Sequence, residues 1–276
     1  MNDSVNDKLP PVTREFYVRA MRLLDEAGID FLVGGAYAFE RYTGIARHTK
    51  DFDVFVHPRD VQRVLDALAA AGCDTELPFP HWLGKARCGD DFVDVIFSSG
   101  NGVAAVDDDW FRHSVPEEIF GHAVRLIPVE EMIWSKAFIM ERERFDGGDV
   151  AHILRASAEP IDWPRLVARF GDSWRVLMTH LVLFGFIYPG ERHRIPPGVL
   201  SELSARLQRE LATPEPGVRV CRGTMLSRAQ YLVDVERWGY ADPRLAPEGN
   251  LTEREAAIWR AGIAEDGPAE TVDEAA

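Results

Sequence analysis

Three acids, Asp51, Asp53 and Asp94, have the types and surroundings that could do chemistry. In Asp51-Phe52-Asp53-Val54-Phe55-Val56 the acids alternate with apolar residues. In a strand, Asp51 and Asp53 therefore project from one face while Phe52, Val54 and Val56 pack on the other. Like charges this close repel, and a fold holds them most readily with a divalent cation between them. Asp94 is enclosed by Phe92, Val93, Val95, Ile96 and Phe97, where an acid is costly unless it is paired or ligates a metal. Gly34 and Gly35 add backbone N–H groups at the start of a helix, where unpaired donors and the helix dipole favour an anion. Three carboxylates facing a glycine turn make a cradle for Mg²⁺ and a polyphosphate.

The surrounding pattern supplies the elements that must position these groups. Phe31, Leu32 and Val33 read as a short buried strand, Gly34-Gly35 as a turn, 36–42 as a helix and 52–56 as a second strand. Upstream, Phe16, Ala20, Leu23, Leu24 and Ala27 recur at helical spacing, with Gly28 as the stop. Downstream, Pro58 opens a helix carrying Val61, Val64, Leu65 and Leu68, closed by Gly72. Residues 73–97 read as strands with Gly89-Asp90-Asp91 as a turn, which puts Asp91 on the strand face opposite Asp94. A short strand at 123–127 and a helix opening at Pro128 follow. From Ile161 the pattern is helical, with Trp174 to Phe186 strongly apolar and further helices near 198–212 and 225–238. The predicted organisation is a flexible leader at 1–12, a core domain at 13–158, a helical C-terminal domain at 159–245, and a mostly disordered acidic tail at 246–276.

Gly34-Gly35, a helix, then Arg47-His48-Thr49-Lys50-Asp51-Phe52-Asp53, then an isolated strand acid at Asp94, resembles the polymerase-beta-type nucleotidyltransferase superfamily. The likeness is to its minimal bacterial branch of toxin-type and antibiotic-modifying enzymes, and it covers roughly residues 14–155. It implies an α+β fold: a small mixed β-sheet core with flanking helices, followed here by the all-helical C-terminal region. It also implies two Mg²⁺ ions on Asp51, Asp53 and Asp94, and transfer of NMP from an NTP to a hydroxyl or phosphate acceptor, with Asp94 as ligand, general base or both. By the same resemblance Lys136 is carried over to the nucleotide phosphates, while Phe145-Asp146-Gly147-Gly148 loosens the usual spacing before Asp149. Arg47 and Thr49 are candidates for binding phosphate or organising the site, and otherwise are polar loop residues.

Bulk properties narrow the choices. With 276 residues, 46% of them hydrophobic, the chain is long enough for one large or two modest cores. It has no apolar run of transmembrane length, and its polar first residues point to a cytoplasmic location. A formal charge of −14 works against a nucleic-acid acceptor, whose binding is mostly phosphate neutralisation. It favours a small cationic molecule or a protein. Cys73, Cys88 and Cys221 show no paired spacing and read as reduced thiols. His48, His57 and His81 lack metal-ligand spacing. Asp51-Phe52-Asp53-Val54 also mimics the acid motif of haloacid-dehalogenase-type phosphatases, but there an apolar strand precedes the acids, whereas here it follows them. The remaining alternative is a catalytically reduced nucleotidyltransferase fold acting as a binding or regulatory module of the toxin–antitoxin type.

Overall fold

Phe52, Val54, Val93 and Val95, the alternate residues of two predicted strands, are fully buried. They belong to β2 (Asp51–Phe55) and β5 (Asp91–Ile96), which run parallel at the middle of one mixed sheet. The other strands are β1 (Leu32–Val33), β3 (Asp74–Phe79), β4 (Leu83–Cys88), β6 (Val115–Ile119) and β7 (His122–Leu126), in the order β3-β4-β5-β2-β1-β7-β6. The computed structural model describes residues 9–47, 49, 51–157, 160–214 and 217–265. β6 was not expected from the sequence. It carries Pro116, which lacks a ladder donor and is tolerated because β6 is an edge strand.

Helices α1 (Pro11–Glu26) and α3 (Val61–Ala70) cover the sheet face opposite the acids. α2 is Gly35–Thr43 and α4 is Asp108–Arg112. Tyr17 of α1 stacks on Phe52, with 4.7 Å between ring centroids, and α3 buries the four apolar residues the pattern picked out. On α1 the buried set is Thr13, Tyr17, Ala20, Met21 and Leu24, which shares only Ala20 and Leu24 with the predicted stripe. Overlapping stripes at helical spacing compete, and the sheet takes the one that carries the larger Tyr17 and Met21.

The thiol expectation is corrected for two cysteines. Cys73 and Cys88 form a disulfide with a Cα–Cα distance of 4.6 Å. The β3–β4 register places Asp74 opposite Arg87, so the residues flanking that pair face each other. Linear spacing carries no sign of this, because the hairpin register sets the pairing. Cys221 is free.

The C-terminal helices share one hydrophobic cluster with the sheet. They are α5 (Val129–Ala137), α6 (Gly147–Ala156), α7 (Trp163–Phe170), α8 (Trp174–Ile187) and α9 (Pro197–Leu211). Leu166, Phe170, Trp174, Leu177, Leu181 and Phe184 enter that cluster beside the strand residues. The expected boundary residues Ala158 and Glu159 lie outside the described residues. Arg165 and Arg169 of α7 grip the fully buried Glu131 of α5, which joins helices on either side of that boundary.

Beyond Cys221 the chain returns across the core as a strap. The Asn101 side chain donates to the Met225 carbonyl (2.7 Å), Met140 N–H to the Leu226 carbonyl (3.1 Å), and the Asn250 side chain to the Gly102 carbonyl (3.1 Å). The helix predicted near 225–238 is accordingly reduced to a 3₁₀ turn at Arg222–Met225 and a short α10 (Leu232–Glu236). Carbonyls at 225 and 226 bond to other loops instead of along a helix. Within the predicted disordered tail, Glu253–Glu265 forms α11. Its Trp259 packs edge-on against Phe79 and Trp82, at 5.1 and 5.4 Å between centroids. Among the described residues, no helix is long and apolar enough to cross a membrane.

Candidate active site

The parallel β2–β5 register sets Asp53 directly opposite Asp94 and Asp51 opposite Phe92. Asp51, Asp53 and Asp94 therefore share one face of the sheet. Gly35, the first residue of α2, has a φ of +55°, and a Cβ built on it would lie 1.7 Å from Asp53 Oδ2. Glycine is thus required both by the backbone and by the carboxylate that fills the space. Gly34 differs from expectation. Its N–H donates to the Asp53 carbonyl at 3.0 Å, so this amide is part of the strand pairing and is not a phosphate donor.

Gathering these acids has an electrostatic cost. Burial, then the charges of Asp94 and Asp51, push the Asp53 carboxyl from 3.8 up to about 7, against the opposing pull of Lys136 and Lys85. Burial also raises Asp94, opposed by the Lys85 ammonium, whose Nζ donates to Asp94 Oδ1 at 2.9 Å. Among the described residues no three His, Cys, Asp or Glu side chains are grouped as a ready-made metal cluster. The donor chemistry nevertheless fits a hard divalent cation. Asp51 and Asp53 offer carboxylate oxygens on one strand face, and Asp53 sits in a cradle that any Cβ at Gly35 would fill.

The candidate phosphate-binding cations are brought together, but each is held by acids. Arg47 clasps Asp149 with both guanidinium nitrogens, Nη1 at 2.8 Å from Oδ2, and its Cζ lies 4.2 Å from the Phe39 ring centroid. Lys136 Nζ donates to Asp149 at 2.7 Å and to Asp146 at 3.2 Å. Arg144 holds Asp146 in turn, with two bonds of 2.9 Å. Burial works to raise Asp149, but Arg47 and Lys136 outweigh it and hold the carboxyl below the ordinary range. Thr49 acts locally: its Oγ1 accepts from Asp51 N–H at 3.1 Å and so fixes the entry to β2. His48 and Lys50 lie outside the described residues. Asp91 accepts from Thr13 Oγ1 at 2.8 Å, on the face away from Asp94.

Sequence reasoning missed Lys85, Asp146 and Arg144. Lys85 carried a usable signal, a lone charge between Leu83-Gly84 and Ala86. The Asp146 and Arg144 contacts depend on how the α5–α6 loop folds back, which no spacing shows.

A family model described as an uncharacterised nucleotidyltransferase matches residues 14–177. The chain belongs to this nucleotidyltransferase family. Several solved structures are similar to the nucleotidyltransferase. The antibiotic-resistance factor ANT(2'')-Ia shares 18% identity at a TM-score of 0.38, over 74% of this chain and 95% of that one. The lincosamide antibiotic adenylyltransferase LnuA, determined with lincomycin bound, shares 14% at a TM-score of 0.37, over 51% of this chain and 94% of that one. An antigenic nucleotidyltransferase-like protein from Paracoccidioides brasiliensis shares 16% at a TM-score of 0.43, over 66% and 91%. No curated protein sequence matches the chain.

Proposed function

We propose that the nucleotidyltransferase moves NMP from an NTP to a hydroxyl or phosphate acceptor on the sheet face that carries Asp51, Asp53 and Asp94. The observation carrying this reading is the β2–β5 register, which sets Asp94 beside Asp53 while Gly35 makes room for the Asp53 carboxylate. Asp51 and Asp53 would hold Mg²⁺, which would supply charge neutralisation for the triphosphate and the leaving pyrophosphate. Asp94 takes the proton of the acceptor hydroxyl as that oxygen bonds to the α-phosphorus and the bond to the bridging oxygen breaks. Arg47 and Lys136 supply the phosphate-facing charge, exchanging part of their hold on Asp149 for triphosphate oxygens. A net charge of −14 favours a small cationic acceptor or a protein over RNA.

The test is thermal unfolding with each of the four NTPs, with and without Mg²⁺, on the wild type and on Asp51→Ala/Asp53→Ala. A Mg²⁺-dependent rise in Tm confined to the wild type is expected, since a ligand bound only by the folded state stabilises it as RT ln(1 + [L]/Kd). Absence of a shift with every NTP favours the binding-module reading instead.

A further inference from the structure

Only four of the 31 basic residues are lysines: Lys8, Lys50, Lys85 and Lys136. Lys136 lies in the ion-pair network beside the acids, and Lys85 lies on the acids themselves. The β4–β5 register sets Lys85 opposite Asp94, and the β2–β5 register sets Asp94 opposite Asp53. Asp53, Asp94 and Lys85 thus stand in one row across three adjacent strands, on one face. Lys85 Nζ donates to Asp94 Oδ1 at 2.9 Å and lies 4.9 Å from the Phe92 ring centroid. The Phe92 ring therefore steadies the ammonium from a second side. A lysine ammonium is a compact, strongly hydrated point charge, the side-chain group closest in kind to a bound cation. The pair is part-buried, with the Lys85 side chain 27% exposed and that of Asp94 14%.

We propose that Lys85 is the resident counter-cation of Asp94, so that the acceptor side of the site works without a second divalent ion. The role rests on the nucleotidyl-transfer reading above, and it replaces the two-ion arrangement that the family resemblance implies. Lys85 is a positioning residue: it fixes the Asp94 carboxylate through Oδ1, offsets the charge facing Asp53, and leaves Oδ2 to receive the acceptor's proton. The strand register sets the two side chains opposite each other, and the Phe92 ring lies beside the ammonium.

The experiment is a Mn²⁺ titration of the full chain, followed by the electron paramagnetic resonance of free Mn²⁺. It is run in the presence of the α,β-methylene analogue of whichever NTP gives the largest rise in Tm. One Mn²⁺ per chain is expected for the wild type, still one for Asp94→Asn and Lys85→Arg, and two for Lys85→Met, where Asp94 loses its cation. Turnover of Lys85→Met is expected to fall at least tenfold while its nucleotide-induced Tm shift is retained, and Lys85→Arg should recover part of the rate. Two Mn²⁺ in the wild type, with one lost in Asp94→Asn, would overturn the role of Lys85 while leaving the nucleotide site intact. Absence of any Mn²⁺-dependent nucleotide binding would overturn the transfer reading and the role of Lys85 with it. The wild-type and Asp94→Asn counts decide the matter even if Lys85→Met fails to fold.

Discussion

Replacing Asp53 by Asn removes a charge from the most crowded point of the sheet and keeps the shape that fits against Gly35. The folded-state carboxyl is raised from 3.8 to about 7, so between those values the folded protein binds more protons than the unfolded chain. Stability from this group is complete below about pH 4 and is lost as the pH climbs to 7. Above pH 7 the full penalty applies, about 4 kcal/mol at about 1.4 kcal/mol for each tenfold change in proton affinity. Asn does not titrate, so Asp53→Asn is expected to be more stable than the wild type by about 2–4 kcal/mol at pH 8. The difference should shrink by more than half at pH 5. Urea unfolding followed by tryptophan fluorescence, at half-unit steps from pH 5 to 8 without divalent ions, measures it directly. A variant no more stable than the wild type at pH 8, or a gap of equal size at both ends of the range, would refute the idea that burial of Asp53 beside two other carboxylates strains this site.

Other changes test the supporting structure. Gly35→Ala must fit a Cβ into space held by Asp53 Oδ2 and adopt a φ of +55°. It should lose about 1–3 kcal/mol of stability and the Mg²⁺-dependent Tm shift with NTP, and retention of that shift would show that the close approach does not matter to the site. Reducing the Cys73–Cys88 disulfide opens a loop spanning 15 residues and should lower stability by about 3 kcal/mol; an unchanged urea midpoint with reductant would show that the hairpin is held without it. Arg165→Met leaves the buried Glu130 and Glu131 with one cation fewer and should cost about 3 kcal/mol, read as a fall in Tm, whereas a Tm equal to that of the wild type would mean Arg169 suffices alone.

The acids and the glycine turn were legible because their signals are local. Alternation fixes the face of Asp51 and Asp53 within three residues, and an acid among five apolar neighbours marks Asp94. The direct parallel pairing of β2 with β5 was not legible, because the β3–β4 hairpin between them in sequence hangs outside them in space. The Lys85–Asp94 pair follows from the register of the next hairpin, β4–β5. Arg47 and Asp149 are separated by 102 positions, and their bond depends on α6 docking beside α2. The Gly34 amide was misread for a different reason: a glycine before a helix suits an anion site or a strand bond equally well, and only the partner across β1–β2 decides. The strap from Cys221 was read as a helix near 225–238 running into a disordered tail, because its order comes from contacts with loops more than 80 residues away, which local periodicity does not show.

The strap also bears on timing during synthesis. The sheet that carries the acids is complete once residue 126 has emerged, yet the loops at 99–102 and 139–141 also bond to residues 225–228 and 250, which follow about 100 positions later. The hairpin tip waits still longer, for Trp259. A ribosome-bound chain therefore carries the acidic face before it carries the clasp around it, and these loops gain their last contacts only after Trp259 has emerged.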